Sequence, residues 1–76
     1  MSKTDKLLEK LKRGSIDADD LLSLLRKLGW THDRTAGSHQ VWVKGDKTLV
    51  LALHGKSLKR YQIKEAQAAI GVSDES

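Results

Sequence analysis

Three histidines, His32, His39 and His54, are the side chains of this 76-residue sequence best suited to acid–base work. Histidine has a reference pKa of about 6.5, so it takes or gives a proton near neutrality. His32 lies between Thr31 and Asp33 in a polar stretch and reads as a solvated surface residue. His54 ends an apolar run beside Gly55 and Lys56, where it either touches a phosphate or simply closes a strand. His39 has the more suggestive setting, in TAGSHQVW. Gly37 allows a ligand close to the backbone, and Ser38 adds a hydroxyl just before a β-like run begins. One metal-free reaction fits a single histidine among lysines: cleavage of RNA through its own 2′-hydroxyl. RNA brings its nucleophile with it, so a protein need supply only a base and cations for the phosphorane. By spacing alone, a lone histidine at a strand entrance is more often structural or merely exposed than catalytic.

Other chemistries find less support. The histidines are 7 and 15 positions apart, with no HExxH pattern and no cysteine, so no metal-ligand spacing is present. Ser38 and His39 are adjacent, and adjacent residues on a strand point to opposite faces, which opposes an acyl-transfer pair. A sheet that reads RNA bases needs aromatic platforms, and the chain has no Phe, two Trp and one Tyr.

The elements that must position these residues follow from periodicity. TDKLLEKLKRG predicts a first helix, capped by Thr4 or Asp5, with Leu7, Leu8 and Leu11 on one face and Gly14 as its stop. SIDADDLLSLLRKLG predicts a second, with Asp17 as N-cap and Asp19 and Asp20 at its positive dipole end. Leu21, Leu24, Leu25 and Leu28 form its apolar stripe, and Gly29 ends it. WTHDR reads as a short edge strand. HQVWVK alternates, with Val41 and Val43 on one face and Gln40, Trp42 and Lys44 on the other. A Gly-Asp turn then leads into TLVLAL, completing a hairpin. Ser57 is a candidate cap for a final helix, YQIKEAQAAI, with Ile63, Ala66 and Ile70 on one face and Gly71 at its end.

The order α-α-β-β-β-α gives an α+β fold, a three-stranded antiparallel sheet with helices on one face. The other face is left open, with Trp42 expected on it. The chain divides into an N-terminal helix over 1–14, a core over 15–71 and a frayed tail over 72–76, within one domain over 1–76.

Composition sets the outer limits. No stretch approaches the roughly 18 apolar residues of a membrane span. The start MSKTDKLLEKLKRG lacks a signal peptide's apolar core, so a cytoplasmic location is expected. The net charge is +4, and it is unevenly placed. Residues 1–36 hold eight Lys/Arg against six Asp/Glu, whereas residues 37–64 hold six against Asp46 alone. That segment begins at the Gly37-Ser38-His39 tripeptide, and its charge suits a phosphate backbone as well as it suits plain solubility.

The ordered set of Gly29-Trp30, Gly37-Ser38-His39, His54 in LALHGKSL and a closing helix ending in AIG resembles the HicA-type toxins of bacterial HicA/HicB toxin–antitoxin systems. The resemblance covers about Ile16 to Gly71. It implies a double-stranded-RNA-binding-domain-like fold, metal-independent cleavage of mRNA, inhibition of translation and neutralisation by a HicB-type antitoxin, with no cofactor. The family's catalytic histidine maps onto His39, the histidine after its third strand onto His54, and its basic loop onto Lys56 and Lys59. Under this reading His39 is the general acid/base and Gly37 permits close backbone approach. Ser38 orients the phosphate, His54 contacts it, and Lys44, Lys56, Lys59 and Arg60 hold the RNA strand.

The chain departs from the family pattern at the second histidine of the pair, which is Gln40, and at family prolines, where Ala52 and Gly55 stand. A helix over roughly Lys3–Arg13 precedes the usual start. Gln40 keeps a non-catalytic RNA-binding module of the same fold as the alternative. A helix-turn-helix DNA binder is opposed by Asp17, Asp19 and Asp20, which would face phosphates. A protein-interaction domain would use Trp42 and the open sheet face.

Overall fold

A computed structural model describes residues 3–72. Three helices, α1 (Lys3–Arg13), α2 (Ala18–Lys27) and α3 (Arg60–Ile70), accompany three strands, β1 (Thr31–Ala36), β2 (His39–Lys44) and β3 (Lys47–Ala52). The strands form one antiparallel meander in the order β1-β2-β3. The predicted element order and α+β class are those observed. Among the described residues no helix is long and apolar enough to cross a membrane.

Helix α2 is bounded by local devices that its sequence supplies. The Asp17 carboxylate accepts the Asp20 backbone N–H at 2.8 Å, capping α2. At its other end the Gly29 N–H donates to Arg26 O and the Trp30 N–H to Leu25 O, at 3.1 and 2.9 Å. That is the paired bonding of a Schellman motif, and it needs a left-handed residue, supplied by Gly29 at φ +93°. The motif delivers Trp30 straight into the core, at 4% exposure. In α1, Thr4 and Asp5 lie inside the helix rather than at its cap. Ser57 does not cap α3. The N-cap is Lys59, whose backbone N–H donates to the Gln62 side chain at 3.0 Å.

The largest correction concerns the sheet. Trp42 is 1% exposed and faces the helices, whereas Val41 and Val43 lie on the open face. Alternation determines which residues share a face, but the register determines which face is inside. Trp42 pairs with Leu49 and Gln40 with Leu51, so the indole and both leucines form one continuous apolar surface. Helices α1, α2 and α3 cover it through Leu11, Leu21, Leu24, Leu25, Ile63 and Ala66. Burying an indole and two leucines outweighs burying two valines. The open face is left with Val41, Val43, Val50 and the residues paired to them.

β1 is exposed along its whole length. A bulge at Asp33, where the register shifts between His32 and Arg34, together with the charges of Asp33 and Arg34, blunts this free edge against further strand pairing. At the C-terminus Val72 packs against the core, and its N–H donates to Gln67 O at 2.9 Å. The rest of the expected tail, 73–76, lies outside the described residues.

Candidate functional site

Ala36 pairs with His39 across a two-residue turn, Gly37-Ser38. Gly37 has φ +62° and Ser38 a negative φ, the pattern of a type II′ hairpin turn with glycine at its first central position. A Cβ at Gly37 would meet nothing within 4 Å, so the glycine is required by its backbone angle while the space above the turn stays open. Gly37→Ala is accordingly expected to cost about 1–2 kcal/mol, the left-handed penalty of an L-residue. The midpoint of urea unfolding measures it, and an unchanged midpoint would show that this turn does not demand the left-handed angle.

His39 is the first residue of β2, the central strand, on the face away from the helices. Its cross-strand neighbours are Ala36 on one side and Ala52 on the other. Two small residues leave the imidazole standing clear. Among the described residues it has no hydrogen-bond partner, so both ring nitrogens are available to a ligand.

One hydrogen bond ties the chain after β3 to this corner, one ties it to α2, and a third is local to it. The Leu53 N–H donates to Ser38 O at 2.8 Å, the Ala18 N–H at the start of α2 donates to Lys56 O at 2.8 Å, and the Lys59 N–H donates to Gln62. The buried Gln62 amide also donates to Ala52 O, the carbonyl of the residue paired with His39. Segment 53–60, with His54, Lys56, Lys59 and Arg60 exposed, is thereby held at the Gly37-Ser38 end of the sheet.

Three residues fall elsewhere. Lys44 is at the opposite end of β2, about 17 Å along the strand from His39, beside Gly29 and on the helix-facing side. Gln40 also faces the helices, and its side-chain oxygen accepts the Trp42 indole N–H at 3.1 Å. His32 is exposed, as the sequence suggested, but it is not merely solvated. Its ring stacks on Trp42 with centroids 5.1 Å apart, and its Nε2 lies 2.7 Å from Thr35 Oγ1. The Arg26 guanidinium lies 5.4 Å from the centroid of the same indole, so Trp42 engages a cation and a second ring as well as the core.

One residue of the His39 face was missed in the sequence. Arg34 pairs with Val41, which puts it on the open face as the diagonal neighbour of His39, at positions roughly 7–8 Å apart. The signal was available: a two-residue turn at Gly37-Ser38 pairs position 36 with 39 and therefore 34 with 41. Arg34 is exposed, with only the adjacent Asp33 carboxylate at 4.0 Å.

Among the described residues no group of three His, Cys, Asp or Glu side chains is placed to hold a metal ion. No curated protein and no solved structure matches the chain. A family model does: that of the HicA toxin of bacterial toxin–antitoxin systems matches residues 18–72, from the first turn of α2 to the residue after Gly71. The match spans most of the chain and contains the Gly37-Ser38-His39 turn, His54 and the tethered loop, so this protein belongs to the HicA toxin family.

Proposed function

We propose that the protein is a metal-independent endoribonuclease that cleaves mRNA and inhibits translation in the cytoplasm, held inactive by a HicB-type antitoxin. The observation that carries this reading is the unpartnered imidazole of His39 on the open sheet face, inside the family-matched segment. His39 takes the proton of an RNA 2′-hydroxyl as that oxygen bonds to phosphorus. The bond from phosphorus to the 5′ oxygen then breaks, that oxygen leaves with a proton from water, and the hydroxide so formed takes back the proton held by His39. The products are a 2′,3′-cyclic phosphate and a 5′-hydroxyl. Arg34 and the cations of segment 53–60 oppose the charge that gathers on phosphorus, Ser38 orients the phosphate, and the open backbone at Gly37 admits it. Lys44 contacts only RNA that runs on beyond the reacting group.

Gln40 does not count against this chemistry. Position 40 faces the helices and is occupied with the Trp42 indole, so the departure from the family's second histidine leaves the His39 face unaltered. Incubation with single-stranded RNA followed by end analysis tests the reading, with cyclic-phosphate ends as the expected result. RNA that is bound and left uncut would replace it with a non-catalytic RNA-binding module. Arg34→Ala is expected to lower kcat/KM about ten- to a hundredfold, the equivalent of one charge-assisted hydrogen bond. An unchanged value would remove Arg34 from the site.

A further inference from the structure

The N-terminal helix lies outside the family-matched segment, yet it carries a cation to a second basic site. A cleft of about 220 Å³ opens between the end of α1 and the first turns of α3, with Arg13, Arg60 and Lys64 at its rim and Leu58 and Ile63 among its walls. Among the described residues no carboxylate lines it. Arg60 and Lys64 stand four residues apart on one side of α3, a like-charge arrangement that costs stability. Arg60 also sits at the positive end of the helix dipole, in a first turn with no acidic residue. Neither Arg60 nor Lys64 has an ion-pair partner among the described residues, and Arg13 has only Glu9, at 3.8 Å. Tyr61, 55% exposed, stands three residues before Lys64 on α3, the spacing of helical neighbours. Like charges converging on an open cleft are relieved by an anion, and an adjacent free aromatic ring suits a nucleobase attached to it.

We propose that this cleft holds a backbone phosphate of single-stranded RNA and that Tyr61 stacks on a neighbouring base. The inference rests on the RNA-cleaving reading, since the strand it engages is the one whose reacting phosphodiester lies at His39. Segment 53–60 starts hydrogen-bonded to Ser38 and ends at the cleft rim. Fully extended, it spans at most about 25 Å, so both loci fall within reach of one short oligonucleotide. Helix α1 thus extends the RNA track beyond the segment shared with the family.

The test is binding of a single-stranded RNA of about ten nucleotides, a length that small single-strand folds accommodate. The His39→Ala protein is used so that the RNA stays intact. Adding Arg13→Ala and Lys64→Ala is expected to reduce the slope of log affinity against log salt by about 1.4, two contacts at about 0.7 each. Tyr61→Leu is expected to weaken binding about tenfold while leaving the slope unchanged. Lys6→Ala with Lys47→Ala removes the same charge elsewhere and sets the baseline. A slope no different from that baseline overturns the proposal, and His39-dependent cleavage by the otherwise unaltered chain would show that the nuclease reading survives it. Loss of inorganic phosphate binding with RNA binding intact would also overturn it, marking a free-anion site. If the unaltered chain binds no RNA at any salt, the nuclease reading fails and the cleft proposal falls with it.

Discussion

His39→Ala is expected to lower kcat for RNA cleavage by about 10²–10⁴-fold, the usual contribution of a positioned acid–base group. KM should change little, because the cations of segment 53–60 and Arg34 are untouched. Stability should change by no more than about 0.5 kcal/mol, since the side chain is exposed and has no partner among the described residues. This combination separates a chemical role from a structural one: a histidine that merely finished a turn would show the reverse pattern. Cleavage kinetics and urea unfolding on the same variant provide both numbers. Retention of more than a tenth of the rate would take His39 out of the chemistry. The same substitution should abolish growth inhibition when the chain is expressed without an antitoxin, while leaving RNA binding at low salt intact.

The second large effect is on folding. Leu11→Ala is expected to cost about 2–5 kcal/mol, because Leu11 is fully buried and truncation leaves a cavity among packed helices. A chain of this length has roughly 4–11 kcal/mol to lose, so the variant should be partly unfolded at physiological temperature. The urea midpoint should fall with an unchanged m-value. Although α1 lies outside the family-matched segment, it is built into the core: Leu7 and Leu11 join the cluster that contains Trp42 and Ile63. The Gln67 side chain, 6% exposed, donates to Leu11 O at 2.9 Å, so α1 also satisfies a buried amide of α3. The Lys10–Asp20 pair at 3.0 Å is half-exposed and adds little by comparison. A midpoint unmoved by Leu11→Ala would mean that α1 is an appendage and not part of the fold.

Much of this fold is legible in sequence patterning alone. The Leu21, Leu24, Leu25 stripe, the Asp17 cap and the stop at Gly29 are local devices, and each appears where periodicity and capping chemistry put it. Both hairpins sit at Gly-X pairs for the same reason, since a two-residue turn demands an angle that glycine adopts freely. Missed caps have a local cause too. Ser57 has the hydroxyl expected of a cap, but the Ala18 N–H bond to Lys56 O and the Gln62 bond to the Lys59 N–H carry the chain on to start α3 later.

The Gly37-Ser38-His39 tripeptide was visible as a turn entering a strand, and family resemblance marked its histidine. What the strand pattern left open was which side of β2 is inside, because period-two alternation is symmetric under exchange of faces. Only packing breaks that symmetry. The pairing of Trp42 with Leu49 and of Gln40 with Leu51 puts the larger apolar surface under the helices. It thereby turns His39 outward between two alanines, with Arg34 diagonal to it, and sends Gln40 inward to the indole. Residue identity and spacing along the chain determined the elements and the candidate acid–base group. The tertiary structure decided what faces that group, because the neighbours of a side chain on a sheet come from other strands, and their register is determined by burial rather than by local sequence.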